Sequence, residues 1–173
     1  LAICTINSYA NPKNEQRIFQ IVQEASPNIH VSVSNHIISQ RREYERTSTT
    51  VLNAYIAPLM CRYLEQLENE LERRGFKGTF LVMKSNGGVM TVENAKVMPV
   101  HTLLSGPVGG TIALTALGNR LGFGPLIGFD MGGTSTDVSV VVDNKPQMSS
   151  KVLVEGYPVM TPVVDINSIG AGG

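Results

Sequence analysis

The sequence predicts an α/β protein assembled from two parts, and three observations carry that prediction. Strand-like and helix-like apolar periods alternate up to about residue 122. A run of short strand patterns separated by turn signals follows from residue 125. The two regimes meet at one helical pattern near 106–121. Alternation implies a mainly parallel sheet flanked by helices, and the later run implies an antiparallel meander opening a new sheet. The expected division is therefore 1–122, the last part of a first α/β domain with 106–121 as its connecting helix, and 123–173, the start of a second.

The elements follow in order. "LAICTIN" (1–7) reads as a buried strand. Asn11 caps a helix whose first residue is Pro12, where a missing N–H costs nothing, and Ile18, Ile21, Val22 and Ala25 share one face of it. "IHVSVS" (29–34) alternates as a second strand. Residues 42–75 form the longest helical pattern, with Leu52, Ile56, Leu59, Tyr63, Leu67 and Leu71 as its stripe and Gly75 as terminator. Pro58 is expected to kink or split it. "TFLVMKS" (79–85) is a third strand, followed by the turn Asn86-Gly87-Gly88. The connecting helix opens near Ser105-Gly106-Pro107 and stops by Gly122; its Gly109, Gly110, Ala113 and Ala116 permit close packing. "PLIGFD" (125–130) and "DVSVVVD" (137–143) form a hairpin, and "DNKP" turns the chain into a strand near 147–154.

Bulk properties narrow the function. Fourteen basic and 14 acidic residues leave a net charge of zero, which argues against nucleic acid or a membrane surface as partner. No apolar run is long enough to span a bilayer. Cys4 and Cys61 are too few for a disulfide framework and read as reduced thiols of a cytoplasmic protein. His30, His36 and His101 lack metal-ligand spacing. The chain begins without Met inside a strand-like run and ends on "SIGAGG", which reads as a piece of a longer protein.

The chemistry concentrates in "GFDMGGTSTDVSVV" (128–141). Gly132 and Gly133 let backbone N–H groups face an anion, and Thr134, Ser135 and Thr136 add hydroxyl donors. Asp130 and Asp137 repel phosphate, so they require a divalent cation between, or a water they orient. The loop is neither a Walker loop nor a Rossmann fingerprint, since GK[ST] is missing and no helix follows the glycines. "ERTSTT" groups Arg46 with hydroxyls at a helix start, a candidate anion or substrate contact, and Asn86, Gly87 and Gly88 are candidates to line a cleft.

The D-x-G-G-T-x-T-D pattern between two strands resembles the second phosphate loop of the actin, sugar-kinase and heat-shock-chaperone ATPase superfamily. Together with "REYERTSTTVLNAYIAP", "SNGGVMTVENAKVMPVHTLLSGPVGG" and "IGAGG", it resembles the hydantoinase A / 5-oxoprolinase family. That resemblance implies an actin-like (ribonuclease H-like) fold and the cofactors ATP and Mg²⁺. Asp130 and Asp137 would hold the metal directly or through water, and 132–136 would cradle phosphate. The implied activity is ATP-dependent opening of a cyclic amide such as hydantoin or 5-oxoproline, with a hydantoinase B-type partner subunit or domain. A ketone carboxylase subunit of the same family and a non-catalytic nucleotide switch are the alternatives. The first phosphate loop and the adenine site are expected outside residues 1–173, so this piece alone is expected to be inactive.

Overall fold

A computed structural model describes residues 1–150 and 152–173. The chain runs β1 (Ala2–Ile3), α1 (Lys13–Ala25), β2 (Ser32–Val33), α2 (Ser34–Ile37), α3 (Glu43–Arg73), β3 (Leu81–Met83), β4 (Val89–Thr91) and α4 (Val92–Val97). A 3₁₀ turn (Pro99–Thr102) leads into α5 (Ser105–Leu121). Then come β5 (Leu126–Met131), β6 (Thr136–Val142), β7 (Lys145–Pro146), β8 (Met148–Ser149), β9 (Val152–Val154), β10 (Tyr157–Val159), β11 (Val163–Val164) and β12 (Ile166–Ile169). No described helix is long and apolar enough to cross a membrane. Two compact units form. One holds Leu1–Val82, Met90–His101 and the segment ending at Thr161; the other holds Met83–Val89, Thr102–Ser150 and Pro162–Gly173.

In the first unit β1 and β2 pair in parallel, Ala2 with Ser32 and Ile3 with Val33. This is the expected parallel start, but shorter than the strand patterns suggest, and β3 pairs with β4 instead of joining it. Asn11 does serve the start of α1, its Oδ1 accepting from Lys13 N at 3.2 Å. The face expected to be buried is not: Ile18 and Ile21 are exposed, while Glu15 is fully buried. Helix α3 passes through Pro58 without splitting. Its buried line is also not the predicted leucine stripe. Arg46, Thr49, Thr50, Asn53, Ala57, Cys61 and Leu64 are buried, whereas of the stripe Leu52, Ile56, Leu67 and Leu71 are half-buried and Leu59 and Tyr63 are 67% and 58% exposed. Both lines have helical spacing, so the period alone could not choose between them. The polar one wins because its groups are satisfied inside. Asn53 shows how: its amide donates to Ser32 Oγ and Val97 O, both at 3.0 Å, and its carbonyl accepts from Val100 N at 3.1 Å. Leu64, Met90, Val92 and Ala95 form one apolar core cluster, with Met60, Phe80 and Val82 against it. The hairpin β9–β10 turns through Glu155 and Gly156, both at positive φ, and Met160 N donates to Thr49 Oγ1 at 2.9 Å.

In the second unit β12, β6 and β5 form an antiparallel sheet, with β7 also on β6. The predicted hairpin and α5 appear within one or two residues of their expected limits. Asp143 and Asn144 take the left-handed turn between β6 and β7, a conformation short polar side chains tolerate. Gly122, at φ 70°, ends α5 as the sequence suggests. Helix and sheet approach closely where side chains are missing. A Cβ on Gly118 would stand 2.4 Å from Leu126 Cδ1, and one on Gly128 would stand 3.0 Å from Leu114 Cδ2.

Candidate functional site

The hairpin β5–β6 positions the two carboxylates. Asp130 and Asp137 are direct cross-strand partners and therefore project to the same face of the sheet. Like charges in that relation repel, and neither Asp enters an ion pair among the described residues. Asp137 Oδ1 accepts a hydrogen bond from Ser168 Oγ on β12. A Cβ on Gly110 of α5 would lie 3.9 Å from Asp130 Oδ2, so the carboxylate faces a helix turn that has no side chain in the way. A cleft of about 430 Å³ opens there, lined among others by Pro107, Gly110, Leu114, Asp130, Asp137 and Ser139.

Between the strands lies the loop Gly132–Ser135. Gly132 N donates to Ser135 O at 2.9 Å and closes it. No acceptor meets the N–H of Gly133 or Thr134 among the described residues. Thr134 is exposed and Ser135 half-buried, both with hydroxyls that a ligand can reach. Thr136 differs. Its side chain is fully buried and its hydroxyl donates to Ala171 O, so the three hydroxyls that look equivalent in sequence are not equivalent in space.

The turn Asn86-Gly87-Gly88 belongs to the same unit. Asn86 Oδ1 accepts from Gly88 N at 3.0 Å, Gly87 has φ 84°, and a Cβ there would strike Ile112 Cδ1 of α5 at 2.5 Å. Helix α5 thus packs beside both the turn and the carboxylate hairpin.

Arg46 belongs to the other unit, and its partners lie within that unit. It is completely buried. Its guanidinium donates to Ser34 Oγ at 2.9 Å, to Thr5 O at 2.8 Å, and to Ser8 Oγ and Glu43; Glu15 lies 3.8 Å away and the Tyr9 ring 5.9 Å. Burial by itself would raise the pKa of Glu15. Hydrogen bonds from the Ser34 hydroxyl, the Thr5 and Asn35 amides and the Ser8 hydroxyl outweigh it and hold the carboxyl below its ordinary value. Sequence reading saw the arginine but not its partners, because Ser8, Glu15 and Ser34 are scattered and belong to no motif. It also missed Ser168 and Ala171, because "INSIG" has no period-2 alternation to mark a strand.

The donors suit a hydrated hard cation better than a closed metal cage. No group of three or more His, Cys, Asp or Glu gathers among the described residues. Two carboxylates beside open amides match Mg²⁺, which keeps several waters and shares its shell with phosphate oxygens. Burial lifts the pKa of the Cys61 thiol, with repulsion from Glu65 acting in the same direction, so it is not poised as a nucleophile.

The chain is 33% identical over its whole length to caprolactamase subunit alpha of Pseudomonas jessenii and to 5-oxoprolinase of Saccharomyces cerevisiae, and 34% identical over 99% of its length to acetone carboxylase beta subunit of Xanthobacter autotrophicus. It spans 25%, 13% and 24% of those proteins, respectively. A nucleotide-free acetone carboxylase structure superposes on 99% of the chain with a TM-score of 0.85, and an ATP-dependent caprolactamase of Pseudomonas jessenii on 96% with 0.83; the chain covers 24% of each. The family described as Hydantoinase/oxoprolinase matches residues 46–173. With the motif, the α/β fold and these likenesses in agreement, the chain belongs to the hydantoinase/oxoprolinase family.

Proposed function

We propose that this chain is part of an ATP-dependent hydrolase that opens a cyclic amide, and that the β5–β6 hairpin is one of its phosphate-binding jaws. The observation that carries the reading is the cross-strand pair Asp130–Asp137 beside a glycine loop with open amides. Gly133 and Thr134 present N–H groups, and Thr134 and Ser135 present hydroxyls, to phosphate oxygens. Asp130 and Asp137 face the cleft from which they would hold Mg²⁺ or its waters. The metal supplies neutralisation of charge on the phosphate, and ATP supplies the phosphoryl group that makes a lactam carbonyl a better electrophile. The hairpin's contribution is alignment, because its groups are fixed on two paired strands. Asn86, Gly87 and Gly88 would line the substrate side, and Arg46 enters as scaffold. The second domain would begin near residue 123, with α5 as connector. The remaining nucleotide contacts would come from the rest of a longer cytoplasmic protein and its hydantoinase B-type partner.

A carboxylase reading has support of its own in the likeness to acetone carboxylase. One experiment separates the two. Full-length protein with its partner subunit is given MgATP and either 5-oxoproline, hydantoin or caprolactam, or acetone with bicarbonate, and ring-opened or carboxylated product is quantified with nucleotide release. Product from a cyclic amide only is the expected result. Product from the ketone only would replace the hydrolase reading with the carboxylase one, and nucleotide turnover without any product would favour a switch.

A further inference from the structure

Four contacts tie the segment 166–173 to the hairpin. Ser168 Oγ donates to Asp137 Oδ1. Thr136 Oγ1 donates to Ala171 O. Gly173 N donates to Gly132 O at 3.1 Å. Between these, Gly172 lies so close to the loop that a Cβ would stand 2.4 Å from Gly133 C and from Thr134 N. That contact is backbone on backbone, so no side chain can swing away to relieve it. The strand register leads into it, since β12 pairs with β6 from Ile166–Ser139 to Ile169–Thr136.

Resting on the phosphate-site reading, we propose that 166–173 is a positioning element for that site. It splints the Gly132–Ser135 loop so that the Gly133 and Thr134 amides stay open, and it steadies the Asp137 carboxylate. A loop with two glycines loses much conformational freedom when it closes on an anion. Holding it beforehand against a paired strand removes part of that loss from binding. Thr136 is then a positioning residue and not a phosphate ligand. A threonine hydroxyl has one proton, and this one is given to Ala171 O; an ionised phosphate oxygen needs donors.

The test uses full-length protein in wild-type form and as Thr136→Val, Thr136→Ser and Gly172→Ala. Amide hydrogen exchange over 131–137 is measured without nucleotide, MgATP affinity by calorimetry, and melting temperature as a control. Thr136→Val and Gly172→Ala should each speed loop exchange and weaken MgATP binding by about tenfold, the scale of one lost hydrogen bond, while Thr136→Ser stays near wild type in both. Unchanged loop exchange in both Thr136→Val and Gly172→Ala would overturn the proposal, whatever happens to affinity. Weakened binding in Thr136→Val alone, with loop exchange unchanged, would make Thr136 a direct ligand. Faster exchange in a protein that does not bind MgATP even as wild type would leave the splint standing and remove the phosphate reading instead.

Discussion

Two regions of this molecule concentrate charge, and they do so in opposite ways. Around Arg46 a cation, two carboxylates and two serine hydroxyls meet inside the first unit, with Arg46 and Glu15 completely buried. At the β5–β6 hairpin two carboxylates stand side by side, and among the described residues no cationic side chain pairs with them and no acceptor meets the amides next to them. In the first set most groups answer to one another, with Arg46 Nε and the Thr5 hydroxyl the buried atoms left over. The second is incomplete in a particular sense: it has excess negative charge and excess donors, which is what a metal–phosphate pair would resolve. Charge content therefore says little by itself. What separates scaffold from site is whether the groups satisfy one another.

The comparison is broken most forcefully at Arg46. Replacing one partner of a buried ion pair leaves the other charge without compensation, at about 3–5 kcal/mol. Arg46→Met in the full-length protein should therefore lower unfolding free energy by that order, read by denaturant titration. Full stability combined with a raised KM for the cyclic amide would instead make Arg46 a substrate contact, the role its motif suggested. The next effect in size belongs to the hairpin and is of another kind. Asp130→Asn and Asp137→Asn keep shape but remove a preorganised charge, which typically costs about 3–4 kcal/mol of barrier, or roughly 10²–10³ in rate. ATP turnover and ring opening should fall together, with melting nearly unchanged. Ring opening that persists without ATP turnover would make ATP regulatory.

Acid sharpens the contrast at a smaller scale. Glu15 has a folded pKa below its unfolded value of 4.5. A carboxyl lowered in this way stabilises the fold above its unfolded pKa, and that contribution is lost as pH falls through the folded value. Wild type should thus be more stable than Glu15→Gln near pH 7, and the gap should close as pH falls below the unfolded value of 4.5. A gap that stays constant down to pH 3 would mean that the network depends on the shape of Glu15 and not on its charge.

How much of this was legible follows from range. The hairpin, its turn residues and α5 were readable because their determinants are local: alternation, paired acids, Gly122 at a helix end. Strands β1 and β2 were overextended, because apolar alternation continues past the two residues that actually pair. The buried face of α3 was misplaced because Thr49 and Asn53 take partners far along the chain, Met160 for the first and Val97 and Val100 for the second. Helix α4 and strand β12 were not foreseen; both are short and take their stability from neighbours. Within the site, the motif marked both carboxylates and the open loop but could not distinguish Thr136 from Thr134. That distinction depends on Ala171, 35 residues further on and just past the end of β12, outside any local pattern.

The smallest effect tests the logic of the comparison most directly. If Asp130 and Asp137 face each other without a cation, each should destabilise the nucleotide-free protein slightly, since like charges directly opposite across a strand pair cost roughly 0.2–1 kcal/mol. Asp130→Asn should then be equal to or more stable than wild type in low salt, the reverse of Arg46→Met. The gain should shrink near 1 M salt, where the screening length falls to about 3 Å. Added Mg²⁺ with nucleotide should stabilise wild type more than the variant, because the cation relieves a repulsion that the variant no longer has. Calorimetric melting of both proteins, in low salt, high salt and MgATP, reads all three comparisons. A variant that melts well below wild type in low salt would show Asp130 to be a structural residue, held by contacts of the kind that surround Arg46, and the hairpin would lose its claim to be the open half of the pair.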